Sequence, residues 1–228
     1  KRWDAYHNLC SPIRNKECTN ARSMIFEDYN VDDYAMSVGA PEMDAITACF
    51  WVNTKQEKGY AFYISYAVSS ATNQLIVDGH TDLRLTINHG TGGKRVTSSS
   101  HNSKVNDGRW HHICITWQAK DGQYSFYKDG TNVGSGSIPD SVGKPLEANG
   151  TWVLGQEQDA VGGSFENHQT AYGEFTGFNI WDKVLSPFHI IKMSKKCESG
   201  GVPGNVKTWA DFVSGIQGNV KMIKSTCC

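Results

Sequence analysis

The run Trp110-His111-His112-Ile113-Cys114-Ile115-Thr116-Trp117 combines aromatic and β-branched residues and contains no glycine or proline. Side chains of that kind fit a pleated, largely covered surface, so the run reads as a β-strand. On its C-terminal side Asp121-Gly122 and Asp129-Gly130 bracket Gln123-Tyr124-Ser125-Phe126-Tyr127. Asp-Gly tolerates positive φ, so both dipeptides predict hairpin turns around a further strand. The same chemistry recurs upstream over residues 24–26, 34–38, 45–52, 60–67, 74–77 and 83–87, and downstream over 152–155 and 173–181. Residues 69–73 read as a turn, and the Gly/Ser/Thr-rich residues 88–103 as a loop. One helix is expected near 187–196: Ser186 suits the N-cap, Pro187 the first helical position, and Lys195-Lys196 the negative end of the dipole. Closely spaced strands with a single late helix predict an all-β, antiparallel sandwich.

The charge pattern narrows the function. Over 228 residues the net charge is −1, with acids and bases interspersed, so no basic face invites nucleic acid or an anionic membrane. No apolar run reaches the roughly 18 residues of a membrane span, so membrane insertion is not expected. Lys1-Arg2-Trp3-Asp4 lacks a signal core, which fits either a trimmed mature chain or one never exported. The seven cysteines favour export: none forms a C-x-x-C pair, and an oxidising compartment suits them. The sequon Asn149-Gly150-Thr151 agrees, making Asn149 a candidate glycosylation site. An odd count leaves one thiol over, and Cys227-Cys228 at the exposed terminus is the natural place for it. Polar residues 1–22 read as an N-terminal extension closed by a local Cys10–Cys18 disulfide, and 23–228 as the folded domain.

The chemistry concentrates in Leu154-Gly155-Gln156-Glu157-Gln158-Asp159 and the residues after it. Glu157 and Asp159 are two apart, so they share one side of an extended segment or the loop beyond it. Gly162-Gly163 lets the chain turn, and Glu166 and Gln169 follow. Three gathered carboxylates repel one another unless a hard, oxygen-seeking cation sits between them, above all Ca²⁺. A solvated acidic turn accounts for the same residues, and the EF-hand order is missing. Spacing alone does not separate the two.

A resemblance does. His112-Ile113-Cys114-Ile115-Thr116-Trp117 is similar to the pentraxin signature H-x-C-x-[ST]-W-x-[ST], with Ala119 departing at the last position. The segment from Leu154 to Gln169 resembles that family's calcium loop, and Trp181-Asp182 through Leu185-Ser186-Pro187 the strand and helix start beyond it. Order and spacing agree over residues 24–220. The resemblance implies a flattened, lectin-like jelly-roll sandwich in a cyclic homo-oligomer of five or more protomers, with rings able to stack. It also implies calcium-dependent binding of phosphate- or carboxylate-bearing ligands and glycans on one face, and a secreted role in innate defence.

By position, the resemblance places one Ca²⁺ on Asn73, Glu157, the Gln158 carbonyl and Asp159. A second would share Glu157 and Asp159 and add Glu166 and Gln169. Thr72 stands where the family has an aspartate, which predicts a first ion held about tenfold or more weakly. Asp78, with Ile76 beside it, falls near the position of an apolar residue in choline-binding members. A carboxylate there would favour the primary ammonium of phosphoethanolamine over phosphocholine. The family's disulfide falls on Cys49–Cys114, and Cys197 paired with Cys227 or Cys228 resembles arthropod members.

The remaining constellations have bland readings. His111 and His112 face opposite ways on a strand, which suits packing more than a metal pair. Trp110, Trp117, Trp152 and Trp181 could form a sugar platform but fit a core. A sandwich glycosidase pattern E-x-D-x-x-E begins at Glu157 and Asp159 but meets Gly162 where its third acid belongs, so catalysis is not expected.

Overall fold

The computed structural model describes residues 21–87, 94–98, 103–197 and 202–227. Its strands are β1 (Arg22–Phe26), β2 (Tyr34–Val38), β3 (Ala45–Asn53), β4 (Phe62–Val68), β5 (Ala71–Asp78), β6 (Arg84–Ile87) and β7 (Lys94–Thr97). The second half adds β8 (Trp110–Gln118), β9 (Gln123–Lys128), β10 (Thr131–Ser137), β11 (Thr151–Leu154), β12 (Gly173–Trp181), β13 (Ile216–Gln217) and β14 (Lys221–Lys224). They form two antiparallel sheets, ordered β10-β9-β8-β3-β12-β1-β14 and β13-β2-β11-β4-β5-β6-β7. The expected all-β, antiparallel jelly-roll sandwich is the fold observed.

The aromatic run that opened the sequence is β8, a central strand of the first sheet, hydrogen-bonded to β3 and β9. Cys49 and Cys114 lie directly opposite each other in the β3–β8 register and are joined by a disulfide. Trp117 and Trp152 are wholly buried, so the core reading of these aromatics holds for them. Phe50 packs at the centre, stacked on Phe178 with ring centroids 4.5 Å apart and tilted against Tyr63 at 5.2 Å. Truncating a buried phenylalanine in such a site costs about 3–5 kcal/mol.

Three expectations change. Residues 88–103 are not one loop: β7 forms within them and pairs with β6, because Lys94-Arg95-Val96-Thr97 alternates on a sheet edge where charged side chains are tolerated. A second short helix, α2 (Trp209–Val213), joins the expected α1 (Pro187–Met193). It is stabilised by a capping box between Thr208 and Asp211 and by the buried Trp209 and Phe212. Ser186 precedes α1 as expected, but its hydroxyl pairs with His189 Nδ1 at 2.8 Å rather than capping a backbone N–H. The Cys10–Cys18 pairing and Cys228 lie outside the described residues. Cys197 is bonded to Cys227, which closes the C-terminal segment onto the chain beyond α1.

Candidate functional site

The acidic stretch begins where β11, an interior strand of the second sheet, ends. Gly155 has φ +90°, and a Cβ there would collide with the Phe26 ring, so only glycine lets the chain leave the strand at that point. The segment returns to the first sheet through β12. Its base is closed by the Gln156–Thr170 bridge and by Ala171 N–H donating to the Gly155 carbonyl at 2.8 Å. A tight turn is set by the Ala160–Gly163 bridge and the positive φ of Gly162.

Amide side chains fasten this segment to the sheet. Gln158 Nε2 donates to Ser65 Oγ at 3.0 Å and to the Thr151 carbonyl at 3.1 Å, while its Oε1 accepts from Gly162 N–H at 2.8 Å. Gln156 Nε2 donates to the Asn30 and Asp33 carbonyls at 2.9 and 3.0 Å. Gln158 is 0% exposed and Glu157 2%, whereas Asp159 and Glu166 stand in solvent. From the opposite side β5 contributes Thr72 and Asn73. The β4–β5 register shifts between the Tyr66–Leu75 and Val68–Ala71 pairs, and the intervening irregularity carries Thr72 and Asn73. Such an irregularity re-aims side chains, so the expected turn residue Asn73 is a strand residue directed by it.

The buried oxygens are the signature of the site. Among the described residues, Asn73 Oδ1, Gln156 Oε1, Glu157 Oε2 and Gln169 Oε1 are buried acceptors without a hydrogen-bond partner. Buried acceptors are nearly always paired, because an unmet one costs about 1–3 kcal/mol. Three of these acceptors, on Asn73, Glu157 and Gln169, belong to the residue set expected from the sequence, whereas the Gln156 side chain is turned to the Asn30 and Asp33 carbonyls. Burial, and after it the charges of Asp159 and Glu166, push the Glu157 carboxyl up to about 7, while Arg95 and the Asn73 amide pull it down. A cation would relieve that strain directly.

The carboxylates themselves are not drawn tightly together. Among the described residues, the one group of three histidine, cysteine or acidic side chains with ligand atoms within 4.8 Å of one another is Cys49, His112 and Cys114. Its sulfurs are already spent in the disulfide. The donor set still fits a hard divalent ion such as Ca²⁺, which takes carboxylates, amide carbonyls and backbone carbonyls together.

Asp78 and Ile76 differ from expectation. Asp78 is 0% exposed and ion-paired to Arg84 Nε, with Arg95 Nη2 at 3.6 Å. Burial raises its pKa against the pull of the two guanidinium groups. Ile76 is buried as well. Neither faces a ligand as an open side chain: Asp78 anchors Arg84, which also lies over the Tyr60 ring at 4.9 Å, and Arg95, which is 44% exposed. Two guanidinium groups against one carboxylate leave positive charge beside the acidic segment. Sequence reasoning missed this because β7 was hidden in an apparent loop. His111, read as packing, is held by both ring nitrogens, to Asp107 at 3.0 Å and Asp129 at 2.8 Å.

The chain is an antiparallel jelly-roll sandwich with buried, unpaired oxygen acceptors beyond the end of an interior strand. Comparison with known proteins makes this specific. The Pentaxin family model matches residues 25–224, and the chain belongs to the pentraxin family. It is 37% identical over 173 residues to "Neuronal pentraxin-1" of Rattus norvegicus, covering 75% of this chain and 38% of the relative. It is 36% identical over 203 residues to rat "Sushi, von Willebrand factor type A, EGF and pentraxin domain-containing protein 1", covering 88% of this chain and 6% of that protein. The chain thus spans well under half the length of these relatives. The heptameric SAP-like pentraxin of Limulus polyphemus shares the fold, with a TM-score of 0.77 at 23% identity over 91% of this chain and 97% of that one.

Proposed function

We propose that this pentraxin is a secreted, calcium-dependent recognition protein that binds phosphate or carboxylate groups on headgroups and acidic glycans of microbial or damaged surfaces. It acts as a binding protein and not as an enzyme. The observation that carries this reading is the set of orphaned oxygens on Asn73, Glu157 and Gln169, three residues that the family resemblance puts among the calcium ligands. Asn73, Glu157, the Gln158 carbonyl and Asp159 would hold one ion, and Glu157, Asp159, Glu166 and Gln169 a second. Bound Ca²⁺ supplies open coordination positions that an anionic ligand fills. The chain's own part is to fix those oxygens: the Gln158 side chain is fully engaged, leaving its backbone carbonyl for the metal.

The Arg84–Asp78–Arg95 group shifts the expected selectivity. With its carboxylate already paired, Asp78 offers little to an ammonium group, so the phosphate of phosphoethanolamine or phosphocholine is what the site reads. Export is supported by two disulfides among the described residues and by the exposed, positive-φ turn that carries Asn149 of the sequon. Among the described residues no helix is long and apolar enough to cross a membrane. Assembly into a homo-oligomeric ring follows the Limulus relative, which is heptameric, and would array weak sites on one face for avidity.

Thr72 in place of an aspartate favours a second reading, an adhesive module of a longer protein in which calcium only orders the segment. The partial coverage of the multidomain relative agrees with it. Retention on a phosphoethanolamine matrix, with calcium and then with EDTA, tests the first reading. Elution by EDTA is expected, and equal retention in both buffers rejects it. Calorimetry separates the two readings, because one calcium bound with no ligand heat supports the adhesive module.

A further inference from the structure

The acidic segment lies against the second sheet. The outer face of the first sheet carries a different feature, a groove of about 640 Å³ between β3, β12 and helix α1. Its floor is Trp51 and Trp181 beside the Cys49–Cys114 disulfide, and its wall is Leu185 and Met193. This apolar surface belongs to a small cluster separate from the main core, in which α1 buries only Ile190. The helix is therefore perched on the sheet, with the groove open along its flank. The exposed Val184 and Val202 also line the groove, and the neighbouring helix α1 exposes Phe188, 72% exposed, and Ile191.

The charged residues described in the lining of this apolar floor have one sign. Lys183, Lys192 and Lys196 line the groove, and among its described lining residues there is no aspartate or glutamate. Two half-exposed or covered tryptophans, a thioether and a branched side chain form a surface that water solvates poorly, and the Lys183 and Lys192 ammonium groups stand beside it. The volume lies within the roughly 300–1,000 Å³ of small-molecule sites, which pair an apolar lining with a few placed polar groups. No calcium ligand expected above contributes to it.

We infer that this groove binds a single-chain amphiphilic anion, an alkyl or acyl chain lying on Trp51, Trp181, Leu185 and Met193 with its carboxylate or phosphate on Lys183 and Lys192. The site is independent of calcium. It sits on the other sheet from the acidic segment, so one protomer can hold both kinds of ligand.

The test is a titration of the full chain in EDTA with sodium dodecanoate and with dodecyl phosphate below their micellar concentrations, followed by tryptophan fluorescence and calorimetry. One saturable site per chain is expected, tightening about fourfold for each added methylene in a decyl-to-tetradecyl series. K192E and V184E change exposed positions that line the groove: K192E should weaken both anions at least tenfold and leave a neutral alkyl glucoside unaffected, while V184E, which puts a carboxylate on the apolar lining, should weaken all three. Flotation with anionic phosphatidylglycerol vesicles in EDTA should not occur. Absence of saturable binding, binding indifferent to both variants, or a requirement for calcium would overturn the proposal. So would flotation, which would make the face a membrane contact. Concentration-dependent dimerisation that excludes dodecanoate would assign the groove to a second copy of the chain and overturn it as well.

Discussion

In the proposed calcium site, affinity turns on Thr72 and Glu157. Glu157 is nearly enclosed, beside Asp159 and Glu166, and its second oxygen has no partner among the described residues. Glu157→Gln removes the charge that both proposed ions share, and calcium calorimetry should then show both sites lost with the fold retained by circular dichroism. Thr72→Asp restores a charged ligand and should tighten the weaker ion by about tenfold or more, since a hydrogen bond or contact to a charged group contributes about 1.5–3 kcal/mol. His112 offers a separate test away from the metal site. It is 3% exposed, and burial pulls its pKa down to about 4, below its ordinary value. A histidine whose folded pKa is depressed binds fewer protons folded than unfolded, so its stabilising effect is complete above about pH 6.5. That stability is lost as pH falls toward 4, by up to about 3 kcal/mol. Urea titrations across this window should show the slope, and His112→Gln should flatten it.

At the scale of elements, the acidic segment depends on one glycine. Gly155→Ala places a Cβ against the Phe26 ring at φ +90° and should destabilise the chain by about 1–3 kcal/mol, with faster amide exchange over 155–170. Much of this level was legible in the sequence. Strand β8 announced itself because both its faces are covered, so its residues are apolar or aromatic almost throughout. The acidic segment showed as carboxylates and amides around a Gly-Gly turn. Helix α2 did not show, because five residues are too few to display a period and its stability comes from Trp209 and Phe212 meeting β12 and β2. Strand β7 was hidden by its composition: an edge strand can be as polar as a loop. The Asp78–Arg84–Arg95 group could not be foreseen, since Arg95 reaches Asp78 only through a β6–β7 pairing that residues 88–103 gave no reason to expect.

At the scale of the whole molecule, two disulfides among the described residues tie distant stretches together. Cys49–Cys114 closes a loop with a sequence separation of 65 residues, which the chain-entropy model values at about 4 kcal/mol. The double variant Cys49→Ala/Cys114→Ala should lower unfolding free energy by that order in urea denaturation, with the Cys197–Cys227 bridge intact. The two proposed sites fall on different sheets: the calcium ligands lie against the second, and the groove beside α1 lies on the first. The proposed ring would present each set of sites together, which makes single weak contacts sufficient. The measurement that bears most directly on the central claim is an anomalous difference map from a crystal equilibrated in millimolar calcium. Two peaks about 2.3–2.6 Å from oxygens of Asn73, Glu157, Asp159, Glu166 and Gln169 are predicted. A featureless map over these side chains at that concentration would contradict the account.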